Sequence, residues 1–430
     1  MTSQDPIDRL LAGTYPDPDG GPALRVSTKK VVIAPTLTGA EDSCLDGLEL
    51  GGRLAVVSDP ITHDLMGARI ERALAGRAKV QSLVLPDHPH ADEVTSQRIA
   101  EATKSADGLV AVGAGTINDL CKFATAGAGK PYVVYGTAPS MNGYVSTTAA
   151  ITVHGHKKSL AAQAPLGVFL DLGVLASAPP RMIRSGLGDS LCRTTSQADW
   201  LLAHLLFDSP YRLAPFVLLS DDEEPLFSQS DALMRGDLPA MERLVRTLLL
   251  SGFGTAICGS SHPASQGEHL ISHFTDMLGD PAWPPAFHGE QIAVTTLTMA
   301  RLQEHILRER APQVTTDAAD EAKVITVFGE DLGRSCWKDF AQKRLDARRA
   351  EAVNARLASG WDRIRGEIER IIRPATNLDR TLQRAGAPRT ADDLGWPGAF
   401  YAKAVENARL IRNRYTFLDF AANSGMAVAP

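Results

Sequence analysis

Gly108-Leu-Val-Ala-Val112-Gly113-Ala-Gly115-Thr116-Ile-Asn118-Asp119 is the stretch that decides the fold class. A short apolar run of strand length ends directly in two near-adjacent glycines, and an apparent helix start follows. A strand with no polar alternation is buried on both faces, as in a parallel sheet covered by helices. Glycines at its end let the backbone come close to a diphosphate, and the helix N-terminus offers unpaired N–H groups to an anion. As a dinucleotide fingerprint the stretch is incomplete. Asn118 stands where G-x-G-x-x-G has its third glycine, and the motif follows a later strand than the first. A plain glycine turn is the competing reading.

The sequence on either side repeats the alternation. Residues 1–28, with four prolines and several glycines, read as an N-terminal arm with little structure of its own. Strands are expected at 31–34, 53–58, 80–85 and 131–135. Helices are expected from Thr62 or Asp64 through Ala75 and over 93–105. Strand and helix in turn at this spacing predict an α/β, Rossmann-like parallel-sheet domain over residues 29–175. Beyond it the texture changes. Helical periodicity at 182–206, 241–250, 289–311, 345–372 and 402–410 predicts an all-α C-terminal domain over 176–430, with 324–328 readable as strand or helix. The charged runs at 221–224 and 339–351 read as solvated helix faces or loops.

Composition narrows the function classes. The 430 residues are 44% apolar and 22% charged, an ordinary globular balance. A net charge of −6 without a basic cluster disfavours nucleic acid as the main partner. No apolar run reaches the roughly 18 residues a membrane span needs, and the N-terminus shows no secretory pattern. Cys44, Cys121, Cys192, Cys258 and Cys336 are odd in number and never in a C-x-x-C pair, which predicts reduced thiols and a cytoplasmic location.

Four further places carry chemistry. Asp59 ends an early strand, where it could accept a ribose hydroxyl or cap the next helix. Gly136-Thr-Ala-Pro-Ser140-Met-Asn142-Gly143-Tyr-Val-Ser146 crowds hydroxyls and small residues after another strand. Ser185-Gly-Leu-Gly-Asp189 presents one carboxylate at the start of the helical half. Pro263-Ala-Ser-Gln-Gly-Glu-His269-Leu-Ile-Ser-His273 puts two imidazoles on one helix face, and His288-Gly289 follows. Asp189, His269 and His288 together make a ligand set suited to zinc, iron or nickel with one position left open. Neither H-E-x-x-H nor H-x-x-E-H is present, which disfavours peptide hydrolysis.

The ordered motifs G-x-G-T-I-x-D, T-A-P-S-M-x-G-Y-x-S, G-x-G-D, P-A-S-x-x-E-H-x-x-S-H and H-G resemble the sn-glycerol-1-phosphate dehydrogenase family. The bacterial branch related to the arabinose-operon protein AraM is nearer than the archaeal one. The wider group is the iron-containing alcohol dehydrogenase and dehydroquinate synthase-like superfamily. The match spans about residues 54–289, with Ile411-Arg-Asn-Arg-Tyr-Thr416 near the end.

The resemblance implies reversible hydride transfer between NAD(P)H and dihydroxyacetone phosphate, giving sn-glycerol 1-phosphate or a related polyol phosphate. Gly113, Ala114, Gly115, Thr116 and Ile117 would line the dinucleotide diphosphate. Thr137, Ala138, Pro139, Ser140 and Ser146 would also contact the cofactor, NAD or NADP, and Asp59 tilts the choice towards NAD. Asp189, His269 and His288 would hold one divalent metal, while His273 would contact substrate. Asn142 stands where the family normally has a substrate-touching aspartate, and that is the one departure. A homodimer is implied as well. For the substrate phosphate, Lys157 and Lys158 are candidates on charge and position. Two other classes compete: a dehydroquinate or cyclitol synthase-type carbon–oxygen lyase with catalytic NAD, and a non-catalytic nucleotide-binding sensor. The three-ligand set counts against the sensor.

Overall fold

The computed structural model describes residues 4–153 and 156–427, and residues 156 and 157 without their side chains. Gly155 and the Lys157 side chain, part of the expected phosphate-binding turn, lie outside the described residues. Eight strands run in chain order: β1 (Lys30–Ala34), β2 (Arg53–Ser58), β3 (Lys79–Val84), β4 (Gly108–Gly113), β5 (Tyr132–Gly136), β6 (Thr148–Val153), β7 (His156–Ala161) and β8 (Gly167–Asp171). Six form one parallel sheet in the order β1-β8-β5-β4-β2-β3, and β6 pairs with β7 as an antiparallel hairpin.

By its contacts the chain divides into two compact units, residues 1–190 with 213–260 and residues 191–212 with 261–430. The division is not a single cut near residue 175. Helix Leu238–Cys258 packs on the short turn Gly143–Val145 and on helix Leu172–Ala176, which keeps it with the sheet.

In the first unit β4, β5 and β8 are buried at every residue; β4 and β5 are apolar runs, and β8 ends in the buried Asp171. One sheet face presents Leu54, Val56, Val110, Val112, Val133, Tyr135 and Phe169 to Met66, Ile70 and Leu74. The strand order reverses beside β2: its chain continues to β3 at one edge, and β4 returns on its other side. The carboxyl ends of β2 and β4 therefore flank a topological switch point, where open α/β sheets bind ligands.

Two expectations need correction here. The N-terminal arm is structured: helix Pro6–Ala12 is capped by Asp5, which accepts from the Ile7 N–H at 2.8 Å, and Ile7 and Leu10 are buried. The acidic run at 221–224 is not simply solvated. It lies in helix Ser220–Ser228, where Glu223 is buried and Asp222 pairs with Arg246 at 3.0 Å.

Among the described residues of the second unit, the regular elements are all helices. Residues 324–328 fall in helix Glu321–Phe328, capped by Asp320, which settles that ambiguity as helix. Helix Gly267–Leu278 buries Leu270, Ile271 and Phe274 in the unit's main apolar cluster, each worth about 1.5–3 kcal/mol of transfer from water. Beneath that cluster Arg409 makes a two-pronged pair with Asp317, at 2.7 and 2.9 Å, and Lys343 meets Asp419 at 2.8 Å. Among the described residues no helix is long and apolar enough to cross a membrane.

Candidate metal centre and cofactor cradle

The first unit gathers two of the motifs at the carboxyl end of the sheet. β4 and β5 are neighbours with Gly113 opposite Gly136, so the turn 113–117 and the loop 137–146 leave the sheet side by side. The Thr137 N–H donates to the Gly113 carbonyl at 3.2 Å. Helix Gly115–Ala126 starts at Ala114 with no side-chain cap, so its first N–H groups are not spent on a capping side chain. Gly113 has a packing reason as well, because a Cβ there would lie 2.6 Å from Ile117.

Asp59 follows β2, next to β4 in the sheet. Its carboxylate accepts from the Thr62 N–H at 2.8 Å and completes a capping box. The cap of this helix is thus Asp59 rather than Thr62 or Asp64.

The loop 137–146 is held from three sides. Ser185 Oγ donates to the Ser140 carbonyl at 3.0 Å, and a Cβ on Gly186 would fall 1.7 Å from the Pro139 oxygen. The glycines of the G-x-G-D stretch therefore include one that lets this loop touch the helix. The Asn142 N–H donates to Asp189 Oδ2 at 2.9 Å, and its side-chain Nδ2 donates to Ser251 Oγ at 3.2 Å. Asn142 thereby orients Asp189 through its backbone, a contact that is the same for asparagine and aspartate.

From below, Lys122 Nζ donates to the Gly143 carbonyl at 2.6 Å and to Ser146 Oγ and the Thr148 carbonyl at 3.0 Å each. Ser146 Oγ in turn donates to the Thr148 carbonyl at 2.8 Å, so this hydroxyl is engaged within the chain. Lys122 was not singled out by sequence. It sits three residues beyond Asp119, where a helical lysine ordinarily reads as surface.

The second unit carries the histidines. His269 and His273 share a face of helix Gly267–Leu278, with ring centres 6.1 Å apart. His288 opens helix His288–Leu307, and its ring lies 5.1 Å from that of His269. Ser272 Oγ donates to Gln291 Oε1 at 2.7 Å and Gln291 Nε2 to Asp276 at 3.1 Å, which ties the two helices together. Asp199 fixes the start of the first of them by accepting the Gly267 N–H at 2.9 Å. Burial first, then the neighbouring Glu268, pushes the Asp199 pKa well up.

Glu268 is the residue that sequence reasoning quoted without giving it a role. Fully buried, its Oε1 lies 2.9 Å from His269 Nδ1 and also accepts the Gln266 N–H at 2.8 Å, while Oε2 accepts from Thr195 Oγ at 3.3 Å. An ionised carboxylate only accepts, so His269 carries its proton on Nδ1 and presents the Nε2 lone pair. A carboxylate behind a histidine is the usual support for a metal ligand. Cys192, Glu268 and His269 also have donor atoms within 4.8 Å of one another. With Glu268 committed to three donors, that group is better read as this support than as a ligand set.

Near His273, Arg412 NH2 lies 3.4 Å from Nε2. Of the expected phosphate partners, Lys158 lies on β7 and is exposed.

A family model described as iron-containing alcohol dehydrogenase matches residues 32–179. A glycerol-1-phosphate dehydrogenase (NAD(P)+) of Geobacillus stearothermophilus is 34% identical over 384 residues, covering 86% of this chain and 86% of the relative. The enzyme of that name from Halalkalibacterium halodurans is 32% identical over 376 residues, with 85% of each chain covered. Among solved structures, a probable glycerol dehydrogenase from Sinorhizobium meliloti 1021 aligns with a TM-score of 0.59 at 18% identity, covering 92% of this chain and 95% of the other. A maleylacetate reductase from Agrobacterium tumefaciens gives 0.58 at 17%, covering 94% and 98%. The structural likenesses establish the fold, and the sequence likenesses go further: the chain belongs to the glycerol-1-phosphate dehydrogenase family.

Proposed function

We propose that the protein interconverts dihydroxyacetone phosphate and sn-glycerol 1-phosphate with NAD(H) or NADP(H), using one divalent metal held by Asp189, His269 and His288. The observation that carries this reading is the Glu268–His269 pair beside His288 in a member of this family. The residues fit a metal. Glu268 leaves His269 Nε2 as a donor, His288 supplies a second imidazole, and buried Asp189 supplies a carboxylate already oriented by Asn142. One carboxylate and two imidazoles accept zinc, nickel or iron with a position open for substrate. When bound, the metal supplies Lewis-acid polarisation of the substrate carbonyl.

The chain's own groups do the rest. The uncapped start of helix Gly115–Ala126 and the glycine turn receive the cofactor diphosphate, with Asp59 at the adjacent strand end for the ribose. Residues 137–140 would orient the nicotinamide, which supplies the hydride when bound. In reduction that carbon takes the hydride and the oxygen takes a proton. Asn142 cannot titrate, so proton delivery falls to His273 or to a water at the site. A homodimer is part of the same reading, supported by the edge position of β3 and the exposed Ile61, Leu65 and Val84. A cytoplasmic location is supported by the five free cysteines.

The test is steady-state oxidation of NADH and NADPH with dihydroxyacetone phosphate, with zinc, nickel and iron each added, alongside metal analysis of variants. Sustained coenzyme consumption is expected, which a lyase that regenerates its NAD does not show. His269→Ala should lose metal and activity together, with activity falling by about a thousandfold or more. His273→Ala should lose activity while keeping most of its metal. Full activity in metal-free protein would sink the reading.

A further inference from the structure

The two arginines of the stretch Ile411–Thr416 differ sharply in what they touch. Arg412 leaves the preceding helical turn in extended backbone, with φ −138° and ψ 167°. Asn413 is exposed, and its Nδ2 donates to Gln342 at 3.1 Å. The segment is fixed at both ends. Ile411 is buried, and Thr416 caps helix Phe417–Asn423 in a capping box with Asp419.

Arg414 is engaged inside the chain. It donates to the Ser265 carbonyl and, at 2.8 Å, to Ser261 Oγ. Among the described residues Arg412 has one neighbour at hydrogen-bond range, His273 Nε2 at 3.4 Å. Among the described residues no carboxylate comes within 4.0 Å of either guanidinium. Burial, opposed by Asp339, lowers the Arg412 pKa, and burial together with Arg412 lowers that of Arg414 to about 9. The same two cations add to burial in pushing His262 down to about 4, so that imidazole stays neutral.

A largely buried guanidinium short of a partner is costly, and the missing partner is an anion. Arg412 offers a planar fork, which suits the paired oxygens of a phosphate. Its neighbour His273 stands one helical turn, about 6 Å of rise, from His269. A three-carbon ketose phosphate whose carbonyl lies near His269 has its phosphate a short way off.

We propose that Arg412, beside His273 and reinforced by the charge of Arg414, binds the phosphate of the substrate and sets the preference for phosphorylated over free ketose. The proposal rests on the function stated above, and it replaces Lys157 and Lys158 as the phosphate partner. The 2′-phosphate of NADP is the other source of the same chemistry.

The variants are Arg412→Gln and Arg412→Lys, each checked for folding by thermal melting. With Arg412→Gln, the ratio of kcat/KM for dihydroxyacetone phosphate to that for dihydroxyacetone should fall about 100-fold, chiefly through KM. Arg412→Lys should recover part of the ratio. Equal losses on both ketones would show a structural role, and a loss confined to NADPH would assign the residue to the coenzyme; either overturns the proposal. Equilibrium dialysis of inorganic phosphate against metal-free protein separates this test from that of the function. There Arg412→Gln should weaken binding by about tenfold or more, even if the wild type reduces no dihydroxyacetone phosphate. Unchanged phosphate binding in the variant would overturn the proposal.

Discussion

Lys122 in the first unit and Arg412 in the second are both cations taken out of water, and they are handled in opposite ways. Around Lys122 the network is closed. Three oxygens lie within 3.0 Å of Nζ, Asp119 sits at 3.4 Å, and the side chain is wholly buried. Around Arg412 it is open, with a single imidazole at 3.4 Å among the described residues. A lysine has three N–H donors, so Lys122 has nothing left to offer a ligand, whereas most of the five donors of Arg412 are unspent on the chain. A buried charge satisfied by its own backbone is framework, and one left short of partners is a place for something to bind. The Glu268–His269 pair combines the two, since a closed set of donors on the carboxylate keeps one imidazole nitrogen open.

Lys122→Met opens the closed network. It keeps the length of the side chain and removes the charge, leaving two carbonyls, a hydroxyl and Asp119 without their cation. Burial already lowers the Lys122 pKa against the pull of Asp119, so the pair is worth keeping only as a complete set. Unfolding free energy, read from urea denaturation, should fall by about 3–5 kcal/mol. KM for NAD(P)H should rise as the loop 137–146 loosens. A loss below about 1 kcal/mol would mean that the network is not what holds that loop.

Glu268→Gln sharpens the intermediate case. Gln keeps an acceptor for the His269 Nδ1–H and loses the charge behind it. The zinc dissociation constant, measured by chelator competition, should rise about tenfold, with the fold intact. An unchanged constant would make Glu268 framework alone, on the same footing as Lys122.

How much of this could be read from the sequence follows the same division. The sheet was legible because β2, β4 and β5 are apolar runs, and burial on both faces leaves no other composition for a strand. The helix of His269 and His273 was legible because their spacing is a property of one helix. The hairpin β6–β7 was not placed, since 148–161 mixes polar and apolar residues, and β8 was not placed although it is as long as β1 and β5. Lys122 and Arg412 were opaque for a deeper reason. Their character depends on partners 21–26 and 139 residues away, and a lysine or arginine has the same letter whether it is solvated or enclosed. Glu268 lay inside a quoted motif, but only the geometry shows that it supports His269 rather than a helix surface.

The smallest expected effect belongs to Lys158, and it tests the comparison from the solvent side. This lysine stands on β7, paired with Ile151 of β6, and is exposed. Its ammonium keeps a full shell of water, so it has no unmet demand for an anion. Any attraction to a phosphate is weakened by the high dielectric and screened by salt over roughly a Debye length of 8 Å at physiological ionic strength. Lys158→Ala should therefore change KM for dihydroxyacetone phosphate by less than about twofold at such ionic strength. What change there is should shrink further as salt is added, because a solvated charge acts only through a screened field. The effect of Arg412→Gln should persist in salt, because a guanidinium held out of water is screened far less. Equal and salt-sensitive effects of the two variants would place the phosphate at the hairpin and leave Arg412 as framework.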